Sequence, residues 1–322
     1  MTERTAVQNP ILKYAQDLGW EIVSRPDAEA KRGFDTIAVS IQDRAHNTSL
    51  FFDDILYQKA KEFNPKLEDT KEELVRRLSI LPNTIQGNRD FLAYLRGEKT
   101  FYSKAENREF NLTLIDFHDP ANNIYHVTEE YYYFNGHYGN REDIVFLING
   151  IPVVVIECKN ATLDEAIAIG IDQLRRYHRE TPEMMTPQQM FSVTESLGFS
   201  YGVTWNLNKR SIFRWRQEEV GRLEDKIKTF YARDRILACI KDYIIFSEKD
   251  EELNKYILCQ HQVKAVELVI ERSHHPAKHR GLVWHTQGSG KTFTMIKVAE
   301  MLFKTPESDK PTILMLIDRN EL

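Results

Sequence analysis

The chain has 322 residues, a length that suggests two domains, or one large domain and part of another. Its 43 lysines and arginines against 48 aspartates and glutamates give a net charge of −5, which excludes a globally basic nucleic-acid coat protein but leaves room for local basic patches. Three cysteines, Cys158, Cys239 and Cys259, far apart and odd in number, form neither a disulfide framework nor a spaced zinc site and suit a reducing, cytoplasmic setting.

The longest apolar run, Ile151–Ile156, is far below the ~18 residues of a membrane span, and Met1-Thr-Glu-Arg-Thr has no apolar signal core, so no membrane association is expected. With 14 glycines and 11 prolines and no repeat, the whole chain should fold. Residues 7–18 place Val7, Ile11, Leu12, Ala15 and Leu18 at helical spacing before Gly19, which predicts an opening helix. Residues 50–78 predict two surface helices broken near Asn64-Pro65. From Asn111 to Lys159 short β-branched and aromatic runs (112–116, 125–128, 131–134, 143–148 and 151–157), separated by turn residues, predict an antiparallel sheet. Thr162-Leu-Asp-Glu165 reads as a capping box, and Ala166, Gly170, Gln173 and Tyr177 then share one face of the helix it starts. Strands are expected again at 199–204 and 211–215, and helices over 217–256. After the charged stretch 248–254 come a helix (261–272), a strand (281–285), a Gly-rich loop, a helix (291–303) and a strand (312–318), a βαβ unit.

Two constellations carry chemistry. In the first, Val153–Ile156 is continuously apolar, as in a strand buried on both faces, and ends abruptly in Glu157-Cys-Lys159, with Asp143 on the preceding strand. Phosphodiester cleavage uses a metal that neutralises phosphate charge and lowers the pKa of the attacking water; Asp143, Glu157 and the Cys158 carbonyl are its candidate ligands. Lys159, two residues beyond Glu157 on the same strand face, could position that water or stabilise charge on phosphate. A two-residue Asn149-Gly150 turn in regular register would turn Glu157 to the face opposite Asp143. A shared site therefore requires a three-residue connection or a bulge near Gly150–Pro152.

The stretch from about Leu112 to Tyr177 resembles the nuclease domain of the motor (restriction) subunit of type I restriction enzymes, a family with an Asp…Glu-x-Lys nuclease signature. Leu114-Ile-Asp-Phe, the Asn149-Gly-Ile-Pro152 hairpin and Gln173-Leu-Arg-Arg-Tyr177, similar to the Gln-x-x-x-Tyr helix of RecB-like nucleases, add to the match. The sequence departs from the pattern at Glu142, commonly proline, and at Cys158, commonly leucine. Gln173 and Tyr177, at i and i+4, can point to one site and hydrogen-bond the triad or a DNA phosphate. Glu3 resembles the N-terminal acidic residue of some RecB-like nucleases.

The second constellation is His285-Thr-Gln-Gly-Ser-Gly-Lys-Thr292. Loop amides at Gly288, Ser289 and Gly290 and a helix N-terminus can cradle phosphates, Lys291 can reach the terminal phosphates, and Thr292 can hold magnesium. The motif resembles that of superfamily 2 helicases, with His285 in place of the usual first glycine; Gln262 resembles their adenine-reading glutamine and Asp318-Arg319 their strand entering a DNA-contacting motif. Lys209, Arg210, Arg214 and Arg216, interleaved with Trp205, Phe213 and Trp215, suit a phosphate track or, equally, a solvated hairpin with core aromatics. His274, His275 and His279 read as a solvated loop.

The expected architecture is α/β: a mixed, antiparallel-centred sheet flanked by helices, restriction-endonuclease-like, over residues 1–248, then a partial RecA-like P-loop βαβ unit over 249–322. The resemblance implies Mg2+-dependent cleavage of double-stranded DNA, ATP-driven translocation in the full enzyme, and modification and specificity subunits as partners. With no Asp-Glu-Ala-His-type segment, the chain is not expected to be a motor by itself, and its cleavage alone should be weak or absent. Two other readings stay open: a non-catalytic DNA-binding or assembly module, and a stand-alone P-loop ATPase.

Overall fold

The computed structural model describes residues 4–160, 165–195, 198–215, 222–249, 251–278, 280–305, 308 and 310–316. In chain order the elements are α1 (Asn9–Asp17), β1 (Glu21–Val23), α2 (Arg25–Lys31), α3 (Ile41–Arg44), α4 (Asp53–Phe63), α5 (Lys71–Ser79), α6 (Ile85–Leu95), β2 (Thr100–Ser103), β3 (Arg108–Asn111), β4 (Tyr125–Phe134), β5 (Gly139–Ile148), β6 (Ile151–Cys158), α7 (Ala166–Glu180), α8 (Pro182–Met185), β7 (Met190–Thr194), β8 (Phe199–Val203), β9 (Phe213–Arg214), α9 (Leu223–Phe230), α10 (Arg233–Ala238), β10 (Ile244–Lys249), β11 (Glu252–Ile257), α11 (Gln260–Ser273) and α12 (Lys291–Lys304). The chain divides into two compact units, 1–241 with 246–256, and 242–245 with 257–322.

The first unit is built on a seven-stranded mixed sheet in the order β1-β4-β5-β6-β7-β8-β9. β4, β5 and β6 form the expected antiparallel meander; β1 joins β4 and β7 joins β6 in parallel. The β6–β7 pair is parallel because α7 carries the chain back across one face. There Leu174 and Tyr177 pack with Val145, Val155 and Val193. Gly170 permits the close approach, since a Cβ there would strike the Val193 side chain. The other face holds aromatics: Trp20 and Tyr231 pack on Phe146 with ring centroids 4.7 and 4.4 Å away. Every residue of β6 is therefore buried, which accounts for its unbroken apolar run. Helices start where side chains satisfy their first amides, as at Ser24, Thr84 and the Thr70–Glu73 capping box.

Several expected elements come out differently. Residues 112–116 are a buried loop. Its backbone is held by asparagine side chains instead of a strand ladder: Asn64 bonds both polar groups of Thr113, Asn149 donates to the Leu114 carbonyl and Asn123 accepts from the Asp116 amide. The helical expectation over 217–256 ends at Tyr243, because Ile244–Lys249 and Glu252–Ile257 pair as a hairpin with Glu251 at φ 66 in its turn. The strands expected at 281–285 and 312–318 form no ladder among the described residues. Leu282, Trp284, Leu314 and Leu316 are exposed there, whereas a parallel-sheet strand draws its hydrogen bonds and burial from neighbours on both sides. Helices α11 and α12 form as expected. Glu3, Thr162, Arg216, His279 and Asp318-Arg319 lie outside the described residues.

Candidate active site

The β5–β6 hairpin sets the geometry. Asn149 and Gly150, at φ 50 and 78, make a two-residue turn whose positive dihedrals suit these residue types. Both polar groups of the Asn149 side chain are used, donating to Leu114 O and Asn123 Oδ1 and accepting from the Ile124 amide. A Cβ at Gly150 would lie 2.7 Å from the Phe52 carbonyl. Ile148 pairs with Ile151 and Leu147 with Pro152, but Phe146 pairs with Val154, leaving Val153 as a bulge. The expected irregularity is thus present, one residue beyond Pro152. Val145 then pairs with Val155 and Ile144 with Ile156, which brings Asp143 level with Glu157 on one face.

Asp143 Oδ2 accepts the Cys158 amide at 2.8 Å. Lys159 Nζ lies 3.7 Å from Asp143 Oδ2 and 3.2 Å from Glu157 Oε2, and donates to the Cys158 carbonyl at 2.7 Å. All three side chains are buried. Burial pushes the Glu157 carboxyl well above the usual carboxylate range, and the Asp143 charge adds to the push while Lys159 opposes it. Glu157 Oε1 is buried without a hydrogen-bond partner. Two carboxylates, one of them with its Oε1 unpartnered, and a carbonyl form a hard-oxygen donor set of the kind Mg2+ prefers. Among the described residues no group of three or more His, Cys, Asp and Glu side chains gathers to hold a metal, so an ion here would complete its shell with water or phosphate oxygens. Cys158 serves through its peptide.

Gln173 and Tyr177 meet as the spacing predicts. Gln173 Nε2 donates to the Tyr177 hydroxyl at 2.5 Å, and that hydroxyl donates to the Arg141 carbonyl at 2.6 Å, two residues before Asp143. Burial raises the Tyr177 phenol far above its ordinary value, with Glu157 next in effect, so it stays a neutral donor. The pair fixes the path of β5 into the site.

Two features escaped sequence reasoning. Glu142, singled out only as a departure from the expected proline, is wholly buried; Gln188 Nε2 donates to its two carboxyl oxygens at 2.8 and 2.7 Å, and desolvation carries its pKa up to about 8. His178, one residue past Tyr177, bonds the Leu174 carbonyl through Nδ1 and accepts the Trp205 amide on Nε2, and burial takes its pKa down to about 4. The only signal for Glu142 was an acid pair entering an apolar strand; His178 had none. In the basic window, Lys209, Arg210 and Arg214 are exposed, but Trp215 is buried against Tyr201 and Phe230, so it packs the core.

In the second unit, Gly288 and Gly290 take φ 76 and 75, opening the loop before α12. Lys291 Nζ donates to the His285 and Thr286 carbonyls at 3.1 and 3.0 Å, closing the loop on itself. Gln262 accepts the Cys259 amide at 2.7 Å and donates to the Ser289 and Gly290 carbonyls at 3.1 and 3.0 Å. Its amide is committed to the loop, so adenine reading would require it to release Ser289 or Gly290. Ser289 Oγ is buried without a hydrogen-bond partner, and Thr292 directly follows Lys291 at the start of α12.

Comparison with known proteins gives two family matches: type I restriction enzyme R protein N terminus over residues 1–209, and SWI2/SNF2 ATPase over 261–322. Relatives named as type I restriction enzyme endonuclease subunits include MjaVIIIP of Methanocaldococcus jannaschii, 28% identical over 98% of this chain and 30% of the relative. HindI of Haemophilus influenzae is 25% identical over 100% of this chain and 32% of its own length, and SauCOLORF180P of Staphylococcus aureus strain COL is 27% identical over 98% and 32%. The chain thus spans roughly a third of the length of the curated relatives it matches. No helix among the described residues is long and apolar enough to cross a membrane. With residues 1–209 matched to that model and named relatives aligned along nearly its whole length, the chain belongs to the type I restriction enzyme R protein family and carries that family's N-terminal region.

Proposed function

We propose that this chain carries the DNA-cleaving centre of a type I restriction enzyme, a Mg2+-dependent site for phosphodiester hydrolysis in double-stranded DNA formed by Asp143, Glu157 and Lys159. The observation that carries this reading is the meeting of two buried carboxylates, Asp143 and Glu157, at the Lys159 ammonium, with Glu157 Oε1 left without a hydrogen-bond partner. A bound divalent ion supplies charge neutralisation at phosphate and a lowered pKa for the attacking water. Asp143, Glu157 and the Cys158 carbonyl would hold it. Lys159 gives up its bond to the Cys158 carbonyl and turns its protons toward a phosphate oxygen, where negative charge develops. Tyr177 and Gln173 keep β5 in place while this happens.

The Gly288–Thr292 loop we assign to ATP, bound through loop amides and Lys291, with Thr292 toward magnesium; hydrolysis in the full-length protein would drive DNA translocation. Modification and specificity subunits are the partners this reading implies, in a cytoplasmic complex. The test is nicking of supercoiled plasmid with Mg2+ by the full-length protein with its partner subunits: the wild type should convert it to open circles and Lys159→Ala should not. Equal nicking by both would remove Lys159 from the site, and binding without nicking by the complete enzyme would favour a DNA-docking module.

A further inference from the structure

Lys255, on β11 in the first unit, is fully buried, and all four of its hydrogen-bond acceptors are uncharged oxygens. Its Nζ, with three protons at most to give, lies 2.6 Å from Asn88 Oδ1, 2.9 Å each from the Gln189 carbonyl and side-chain oxygen, and 3.1 Å from Thr204 Oγ1. Burial, and secondarily Arg96, pushes its ammonium well below the ordinary lysine range. An apolar side chain would fill that volume without the desolvation cost. What the amine adds is direction, since it draws oxygens from α6, the 186–189 segment and the end of β8 to one point.

The 186–189 segment is where this matters. Gln188 grips Glu142, the neighbour of Asp143, through both carboxyl oxygens. The Gln189 amide donates to the carbonyl of Val153, the bulge residue, at 2.9 Å. The Gln188 carbonyl accepts from Asn88 Nδ2 at 2.9 Å and Thr204 Oγ1 at 2.6 Å, which are also Lys255 partners. Two adjacent glutamines therefore reach both features that align the carboxylates, the strand position of Asp143 and the bulge that brings Glu157 level with it.

Resting on the nuclease reading given above, we propose that Lys255 is a positioning residue for the Asp143–Glu157 pair, acting through Gln188 and Gln189. It touches neither substrate nor ion. Loss of the ammonium should free the 186–189 segment and loosen the site while the rest of the sheet holds.

The test compares the chain with Lys255→Met, which keeps an unbranched stem, Thr204→Val, which removes one partner, and Gln188→Leu, which breaks the grip on Glu142. In Lys255→Met, hydrogen exchange should accelerate by on the order of tenfold at the amides of 142–143 and 158 and stay at wild-type rates in α1 and α4. Thr204→Val should show a smaller change at the same amides, and it decides the matter if Lys255→Met does not fold. Mg2+-dependent nicking should lose roughly tenfold to a hundredfold in kcat with KM for DNA unchanged. The Lys255→Met/Gln188→Leu double variant should be no worse than the poorer single one. Wild-type exchange at those amides, acceleration spread evenly over the unit, or additive losses in the double variant would each overturn the proposal. If the full-length protein with its partner subunits cleaves no DNA with Mg2+ or Mn2+, the nuclease reading fails on its own, and the exchange pattern still decides whether Lys255 positions the pair.

Discussion

Asp143 stands level with Glu157 because Val153 has no partner on β5: Leu147 pairs with Pro152, Phe146 with Val154, and the surplus residue shifts the register by one. Inserting one residue between Val154 and Val155 should leave the bulge in place, slide the rest of β6 by one, set Asp143 opposite Ile156 and turn Glu157 to the other face. Mg2+-dependent nicking should then be lost, while Val153→Ala, which keeps the count, retains most of it. A plasmid assay on the two variants, with circular dichroism to confirm folding, checks this. Equal activity would mean that the register does not matter.

Glu142 makes the pH dependence testable. Its folded pKa of about 8 stands above the ordinary 4.5, so between those values the native state holds a proton that the unfolded state has released. Its contribution to stability is present in full below 4.5 and is lost as pH rises through 8. His178, with its pKa lowered to about 4, acts in the opposite sense: its contribution is lost as pH falls through 4. The difference between wild type and Glu142→Gln isolates the first effect. That difference in unfolding free energy should shift against the wild type by roughly 1.4 kcal/mol per pH unit between about pH 5 and pH 8. Denaturant titrations at several pH values measure it, and a flat difference would mean Glu142 is ionised in the fold.

Tyr177→Phe removes the hydroxyl that ties α7 to the Arg141 carbonyl. Stability should fall by about 1 kcal/mol, the worth of one hydrogen bond, with a loss in nicking kcat greater than Gln173→Ala produces. Steady-state kinetics and chemical denaturation of both variants test the order, which the geometry sets: among the described residues the Gln173 side chain reaches β5 through Tyr177.

Cleavage and nucleotide chemistry should separate. In the full-length protein with its partner subunits, Lys159→Ala should abolish DNA cleavage and leave ATP-driven translocation intact, while Lys291→Ala should stop ATP hydrolysis. Parallel assays for cut ends and released phosphate decide. Loss of both activities in a folded Lys159→Ala enzyme would mean that the two sites are not independent.

The centre of the fold was legible because its signals are local. Val153–Ile156 reads as a buried strand, Asn149-Gly150 as its turn, and Gln173 and Tyr177 share a helix face by spacing alone. The need for a three-residue connection or a bulge followed from side-chain parity once Asp143 and Glu157 were taken as partners. Long-range contacts left no such mark. β1 is three residues long and exists by pairing with β4, about a hundred residues away, and β7 drew no notice because Met190–Thr194 lacks the turn signals of a hairpin. The run at 112–116 has strand composition, but its backbone is satisfied by asparagines from three other segments. Lys255 looked like one more charge in a charged stretch, because the oxygens around it come from residues 51 to 167 positions away.

A manganese soak of crystals of the chain, read by anomalous diffraction, tests the central claim most directly. The account predicts one ion bound by Asp143, Glu157 and the Cys158 carbonyl at about 2.0–2.6 Å, with Lys159 Nζ moved off that carbonyl, and no ion in Glu157→Gln. A map with no peak there, and Lys159 still bonded to both Glu157 and Cys158 at saturating manganese, would contradict it.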